Sequence, residues 1–244
     1  MDEKPLYLFK SHYSIGRSIL TTDLESTPNG PKSIFEIAKG LKLEKLYLVE
    51  DGMSGFLEAY KNAEKCGIQL CFGLRLTVLD DITTKNEESL LKESKIVVFM
   101  RNAEGYKPLI KLFSKAATDG FYYQPRIDYK WLKELWSESL LLAIPFYDSF
   151  LFNNTMIYKA NCIPTFPEKP VFFVESHDLP FDPLIEGVVR DYCKKDYDVI
   201  KTHSVYYERP EDAKAHCVFR CISSRSTLDS PRLNHHCSDK FCIL

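Results

Sequence analysis

The chain has 244 residues, 45% of them hydrophobic and 27% charged, with only 10 Gly and 13 Pro. This is the composition of one large globular domain or two small ones, and it excludes a disordered or low-complexity protein. Lys and Arg number 32 against 34 Asp and Glu, a net charge of -2. The chain therefore lacks the global basic excess by which proteins hold nucleic acid through charge alone. No apolar run approaches the roughly 20 residues of a membrane-spanning helix. The N-terminus, Met1-Asp2-Glu3-Lys4, shows no secretory leader, and Cys242 stands one position too late for prenylation. A soluble, cytoplasmic protein with no membrane partner is expected. The eight cysteines include no Cys-x-x-Cys pair and read as buried thiols rather than a disulfide framework.

In chain order, one unit recurs: a short apolar run, a loop, then an amphipathic stretch. Pro5 to Lys10 reads as a strand and Pro31 to Leu41 as a helix, with Pro31 in its first turn. Lys45 to Glu50 is a strand, Ser54 to Lys65 a helix closed by Gly67, and Ile68 to Leu79 a strand. Lys95 to Arg101 is a strand, followed by a helix from Glu104 to Ala117 with Tyr106, Leu109, Ile110 and Phe113 inward. Tyr129 to Trp136 reads as a helix, and Ser139 to Pro145 and Pro170 to Ser176 as buried strands. Pro183 to Lys195 is a helix, Asp198 to Tyr207 a strand, and Pro210 to Ile222 a final helix. Asp23 to Gly30 and Asp80 to Ser94 are surface loops, and the tail from Ser223 is loop-like and loosely packed. About seven strands alternating with helices predict an α/β fold with a mainly parallel sheet, and that number in this length points to a barrel.

In such a barrel the chemistry sits at the carboxyl ends of the strands. The residues there are Lys10 to Ser14, Glu50 and Asp51, Arg75, Phe146 to Asp148, Glu175 with His177 and Asp178, and His203 to Tyr207, with Lys95 opening the fourth strand. A hydrolytic metal centre needs imidazoles and carboxylates to converge. His12, Glu50, Asp51, His177 and His203 are the candidates, but Lys10, Arg17, Arg75 and Lys95 bring positive charge that opposes a divalent ion.

Leu6-Tyr7-Leu8-Phe9-Lys10-Ser11-His12-Tyr13-Ser14 resembles the first motif of the PHP (polymerase and histidinol phosphatase) domain. It is similar in particular to the version at the N-terminus of C-family replicative DNA polymerases, the DNA polymerase III alpha subunits. The resemblance continues in Tyr47 to Gly52, Phe56 to Tyr60, Gly67 to Gly73, Arg101 to Tyr106, Glu175 to Pro180 and Pro210 to His216. Its most specific stretch is Gly120-Phe121-Tyr122-Tyr123-Gln124-Pro125-Arg126-Ile127-Asp128. The fold it implies is a distorted seven-stranded, TIM-like (β/α)7 barrel over residues 1–222, with 223–244 as a tail where the family leads into the polymerase domain.

The departures from the family bear on function. Where the resemblance implies a His-x-His pair, this chain has Leu8 and Lys10, and the family's next Asp falls at Arg17. The Asp-His pair after the second strand falls at Glu50 and Asp51, the third-strand Glu at Arg75, the fourth-strand His at Lys95 and the fifth-strand ligand near Phe146. The closing Asp-x-His falls at Ser204 and Tyr206. Only His177 stands at a family ligand position. One imidazole among these substitutes does not make the three or four ligands of a catalytic metal. The expectation is therefore a catalytically inactive domain without metal or other cofactor. Ion pairs, such as Arg75 with Glu50 or Asp51, would fill the former site.

The cluster Cys217, Cys221, His235, His236, Cys237 and Cys242 does not have the spacing of a standard zinc finger. Trp131, Leu132, Leu135 and Trp136 follow helical spacing, which favours packing over a stacking platform for single-stranded DNA. The resemblance implies a scaffold or subunit of a replicative polymerase. Its partners would be the polymerase core, a proofreading exonuclease or a sliding clamp, with DNA met only indirectly. No polymerase palm carboxylates are present, so DNA synthesis by this chain alone is not expected. Two alternatives stand beside this reading. One is a metal-dependent 3'-5' exonuclease or phosphoesterase with rearranged ligands. The other is a barrel repurposed as an interaction protein outside replication.

Overall fold

The structure is a computed structural model that describes residues 4–230 and 235–243. The expectations placed on Met1 to Glu3, on 231–234 of the tail and on Leu244 lie outside the described residues. The chain divides into two compact units, one of Met1–Phe72, Glu175–Asp182 and Thr202–Leu244, the other of Gly73–Val174 and Pro183–Lys201.

The strands are β1 (Leu6–Phe9), β2 (Lys45–Glu50), β3 (Gln69–Leu79), β4 (Ser94–Met100), β5 (Arg126–Asp128), β6 (Leu140–Ile144), β7 (Val171–Val174) and β8 (Val199–Val205). The helices are α1 (Ile34–Gly40), α2 (Phe56–Cys66), α3 (Glu87–Leu90), α4 (Tyr106–Thr118), α5 (Tyr129–Glu134), α6 (Phe150–Met156), α7 (Asp182–Cys193) and α8 (Ala213–Ser224). Hydrogen bonding orders the strands β2-β1-β8-β7-β6-β4-β3, and a further β2–β3 pairing closes this order into a seven-strand α/β barrel. The eighth strand, β5, adds in parallel to the end of β3 at Thr77–Leu79. It was not expected, because three residues are too few to show a period.

The sheet is mixed rather than uniformly parallel. β1–β2, β1–β8, β6–β7 and β7–β8 are parallel, whereas β4 runs antiparallel to both β3 and β6. Parallel neighbours need a long crossover, usually a helix. The polar stretch between β3 and β4 holds only the four-residue α3, so the chain returns as a hairpin does. This places Lys95, at the start of β4, opposite Thr77, near the carboxyl end of β3.

In the first unit, α1 starts at Ile34 because Ser33 is its N-cap, its hydroxyl accepting from the Phe35 and Glu36 amides. Pro31 therefore lies ahead of the helix rather than in its first turn. Gly67 closes α2 in the left-handed region at φ 65°. Phe9, Leu20, Ile34, Phe35 and Leu48 are fully buried beside these elements. The tail is irregular but not loose over its described residues. Phe241 and Cys242 are buried, the Tyr206 amide donates to the Phe241 carbonyl at 2.9 Å, and the Tyr207 hydroxyl donates to the Ser238 carbonyl at 2.7 Å.

In the second unit, α4 buries Leu109, Leu112 and Ala116, while Tyr106 is exposed and Ile110 and Phe113 are half-buried. A 3-10 turn at 103–105 precedes the helix, which therefore starts at Tyr106 rather than Glu104. Gly120 to Asp128 is organised around Arg126, which is fully buried. Arg126 donates to the Gly120 and Thr84 carbonyls, to the Ser89 hydroxyl and to Glu93 at 3.0 Å. A Cβ on Gly120 would stand 1.8 Å from the Arg126 carbonyl oxygen, so only glycine fits that approach. Asp128 then caps α5 by accepting from the Trp131 amide at 2.8 Å.

Removing one partner of a buried ion pair strands the other charge away from water. Glu93→Ala is expected to cost about 3–5 kcal/mol in urea-induced unfolding. A loss under about 1 kcal/mol, the level of an exposed pair, would show that Arg126 is satisfied without Glu93.

Candidate functional site

In the first unit, the chain leaves β1 at Phe9 and turns tightly, with the Ser14 amide donating to the Ser11 carbonyl at 3.0 Å. This turn brings Lys10, Ser11 and Ser14 to the carboxyl end of β2. Glu50, the last residue of β2, is buried and accepts from the Ser11 amide at 2.9 Å and from the Ser14 hydroxyl. Burial pushes its carboxyl up, against the opposing pull of Lys10, Ser11 and Ser14. Lys10 is only 5% exposed, and its ammonium donates to Asp51 at 3.0 Å. The Arg17 guanidinium lies 3.7 Å from the other Asp51 oxygen. Two expected cations and two expected carboxylates thus form one cluster. Leu8 is buried within β1, in register with Tyr47 on one side and Ser204 on the other.

A second cluster, also in the first unit, surrounds His177, which is fully buried. Its Nε2 faces Glu175 Oε2 at 2.8 Å and its Nδ1 faces the Lys240 carbonyl at 3.1 Å. Glu175 also accepts from the Ser204 amide at 3.0 Å, the Ser204 hydroxyl at 3.1 Å and the Thr202 hydroxyl at 3.2 Å. Burial alone would raise the Glu175 carboxyl. The His177 bond and charge and the Ser204 donors outweigh burial and hold it below its ordinary value. Glu175 and the Lys240 carbonyl are both acceptors, so each nitrogen of His177 faces an acceptor.

The Phe241 ring stacks on the His177 ring at 3.8 Å and 12°. His203 packs at 4.5 Å and donates through Nε2 to the Cys242 carbonyl at 2.7 Å. Burial first, and then the neighbouring His177, push the His203 pKa down. Tyr206 stacks on the other side of the tail, 4.9 Å from Phe241. His177 is thus held at both nitrogens and covered on one face.

Three further predicted positions, Arg75, Lys95 and Phe146, belong to the second unit. Arg75 donates to Asp148, and Lys95 donates to the Thr77 hydroxyl and to Gln124 at 2.9 Å. Gln124 in turn donates to Glu93 at 2.8 Å, which links Lys95 to the Arg126 anchor. Phe146 is fully buried against Tyr147, with ring centres 4.9 Å apart. His12 lies apart from the His177 cluster, stacked on Tyr13 at 4.4 Å and with Nδ1 on the Leu20 carbonyl.

Among the described residues, no three His, Cys, Asp or Glu side chains are grouped so as to hold a metal ion. Sequence reasoning did not find Phe241, because the tail carries no period, nor Asp148 as the partner of Arg75. The motif Glu175-Ser176-His177 did place Glu175 two residues before the histidine.

Glu175→Gln keeps the shape but removes the buried carboxylate that His177, Ser204 and Thr202 face, and is expected to cost about 3–5 kcal/mol at pH 7. The depressed carboxyl contributes fully above its ordinary value of 4.5, and the contribution is lost as pH falls through its lower folded value. Unfolding curves of the two proteins should therefore diverge above that range and converge in acid. Parallel curves at all pH values would refute the ion pair.

A PHP domain family model matches residues 24–153. DNA polymerase III subunit alpha of Thermus aquaticus is 26% identical over 200 residues, which cover 78% of this chain and 16% of that protein. The Helicobacter pylori protein of the same name is 27% identical over 227 residues, 85% of this chain and 19% of that one. The Borreliella burgdorferi protein is 34% identical over 111 residues, 44% of this chain. The chain thus spans less than a fifth of the length of these curated relatives. A solved putative metal-dependent phosphoesterase from Bifidobacterium adolescentis aligns over 92% of this chain and 86% of its own, with 12% identity and a TM-score of 0.31, too distant to argue from. On the family match, joined to the α/β barrel order of the strands, the chain belongs to the PHP domain family.

Proposed function

We propose that this chain is a catalytically inactive PHP domain that serves a C-family replicative DNA polymerase as a scaffold. The observation that carries the reading is the Lys10 ammonium on Asp51 at 3.0 Å, with Arg17 beside it. A buried cation on the side chain itself neutralises the carboxylate that a metal would otherwise neutralise. A divalent ion there would have to displace Lys10 and bear its repulsion in a poorly screened environment. The second support is His177, whose nitrogens are both engaged. Neither cluster offers an open coordination position where a water could be activated, which metal-assisted hydrolysis requires.

The scaffold role rests on the relatives, which are named as polymerase subunits and of which this chain matches only a part. Its partners in this reading are a polymerase core, a proofreading exonuclease or a clamp. The compartment is the cytoplasm, where such polymerases work. No helix among the described residues is long and apolar enough to cross a membrane.

The test joins elemental analysis to activity. Purified protein supplied with Zn or Mn and then dialysed should retain no stoichiometric metal. It should also release no nucleotides from single-stranded DNA, with or without His177→Ala. Stoichiometric metal together with nuclease activity that disappears in His177→Ala would replace this reading with that of a rearranged phosphoesterase. Tagged protein recovered from its native source should carry replicative polymerase chains. Recovery of only non-replicative proteins would show a repurposed barrel.

A further inference from the structure

Apart from the two clusters above, the loop ahead of α1 in the first unit carries a reactive dipeptide that the scaffold reading does not use. Of the eight asparagines in the chain, Asn29 is the one followed by a glycine. Asn29 and Gly30 are both exposed, whereas the side chains of Asn62, Asn86, Asn102, Asn153 and Asn154 are held by hydrogen bonds. The Gly30 amide donates to the Thr27 carbonyl at 2.9 Å, with Pro28 next in the turn and Asn29 at φ 59°. Proline cannot take the positive φ that a type I′ or II′ turn needs at that position, so this is a type II turn, which favours Asn or Gly at its third residue. A Cβ on Gly30 would crowd the Thr27 hydroxyl at 1.9 Å. The turn thus sets an exposed carboxamide beside an unhindered backbone nitrogen. The loop is closed at its neck, where the Ser33 amide donates to the Ser26 hydroxyl at 2.8 Å and the Ser26 amide to Glu36 at 3.1 Å, and Ser33 is the cap of α1.

We propose that Asn29 is a modification site that deamidates spontaneously, with water as the co-reactant, and that the product loosens the cap of α1. The inference rests on this turn and stands whether or not the scaffold reading holds. When the turn opens, the Gly30 nitrogen gives up its proton and attacks Cγ of Asn29. The new N–Cγ bond closes a succinimide ring, the Cγ–Nδ2 bond breaks, and the amide nitrogen leaves as ammonia with the proton that Gly30 lost. One water then opens the ring. Attack at Cγ gives aspartate, and attack at the backbone carbonyl carbon gives isoaspartate, whose main chain runs through the former side chain. Nothing is oxidised or reduced. A side chain on the residue after the asparagine would obstruct ring closure, and glycine, without a Cβ, does not. The Thr27 carbonyl holds the Gly30 N–H while the turn is closed, so the folded chain reacts more slowly than the same segment unfolded. Isoaspartate lengthens the main chain by one methylene between Ser26 and Ser33, against the bonds that close the loop. Either product adds a carboxylate to a segment that already carries Asp23, Glu25 and Glu36 against Lys32.

Trypsin releases the turn in one peptide, Ser18–Lys32, in which Asn29 is the one asparagine. The full chain is kept at mildly alkaline pH and sampled over time beside a synthetic Ser18–Lys32 peptide, and the digests are analysed by mass spectrometry. Ser18–Lys32 should become heavier by one mass unit, as separable aspartate and isoaspartate forms, ahead of every other asparagine-containing peptide and more slowly than the synthetic peptide does. The gain should be lost in Asn29→Gln. The aged chain should melt roughly 2–4 °C below the fresh one, the shift of one lost helix cap, and aged Asn29→Gln should show no such fall. No gain while the synthetic peptide deamidates, an earlier gain at another asparagine, a rate equal to that of the free peptide, or an equal fall in melting temperature in aged Asn29→Gln would each overturn the proposal.

Discussion

The buried pair of Glu175 and His177 constrains the first unit more than any other contact. A carboxylate removed from water needs donors for its lone pairs, and here a histidine, a serine and a threonine supply them. The buried ring of His177 faces two acceptors, and the second is the Lys240 carbonyl. That contact draws the tail inward, which seats Phe241 on the ring and brings the Cys242 carbonyl to His203. An apolar side chain at residue 177 would free the tail from this bond and leave Glu175 buried without one of its partners. The pair and the tail are therefore interdependent.

The Lys10 cluster meets the same requirement in a different way. Carboxylates at the end of β2 would repel one another if left alone near the protein interior. In a metal enzyme the ion relieves that repulsion, whereas here Lys10 and Arg17 approach Asp51, and Glu50 is surrounded by serine donors and pushed toward its neutral form. Under the proposed reading, charge at this end of β2 is balanced within the chain rather than by a bound ion.

How much of this was legible in the sequence follows from which forces act locally. β2 was read with its observed ends, and Gly67 as the stop of α2, because alternation and helix-end chemistry are encoded within a few residues. The start of α1 was misread because Ser33, rather than Pro31, satisfies its free amides. The reversed direction of β4 was not legible, since strand direction depends on whether a connection can cross the sheet, and α3 is too short to show in a period. The candidate residues were legible as chemical types. Their partners were not, because Lys10 with Asp51 and Arg75 with Asp148 are pairings across 41 and 73 residues. The tail was the largest miss: Phe241 is held by contacts that a sequence without periodicity does not reveal.

The stretch that carries the resemblance most specifically, Gly120 to Asp128, holds the fold through four of its residues. Gly120 admits the close approach of the Arg126 backbone, Arg126 fills a buried site with Glu93, Gln124 links Glu93 to Lys95, and Asp128 starts α5. Contacts of this kind testify to the fold. Leu8, Lys10 and Arg17 stand where the resemblance implies ligands, and under the proposed reading the ion pair of Lys10 and Asp51 takes the place of a bound ion there. A buried ligand replaced in this way leaves the fold intact only where the charge left behind is balanced.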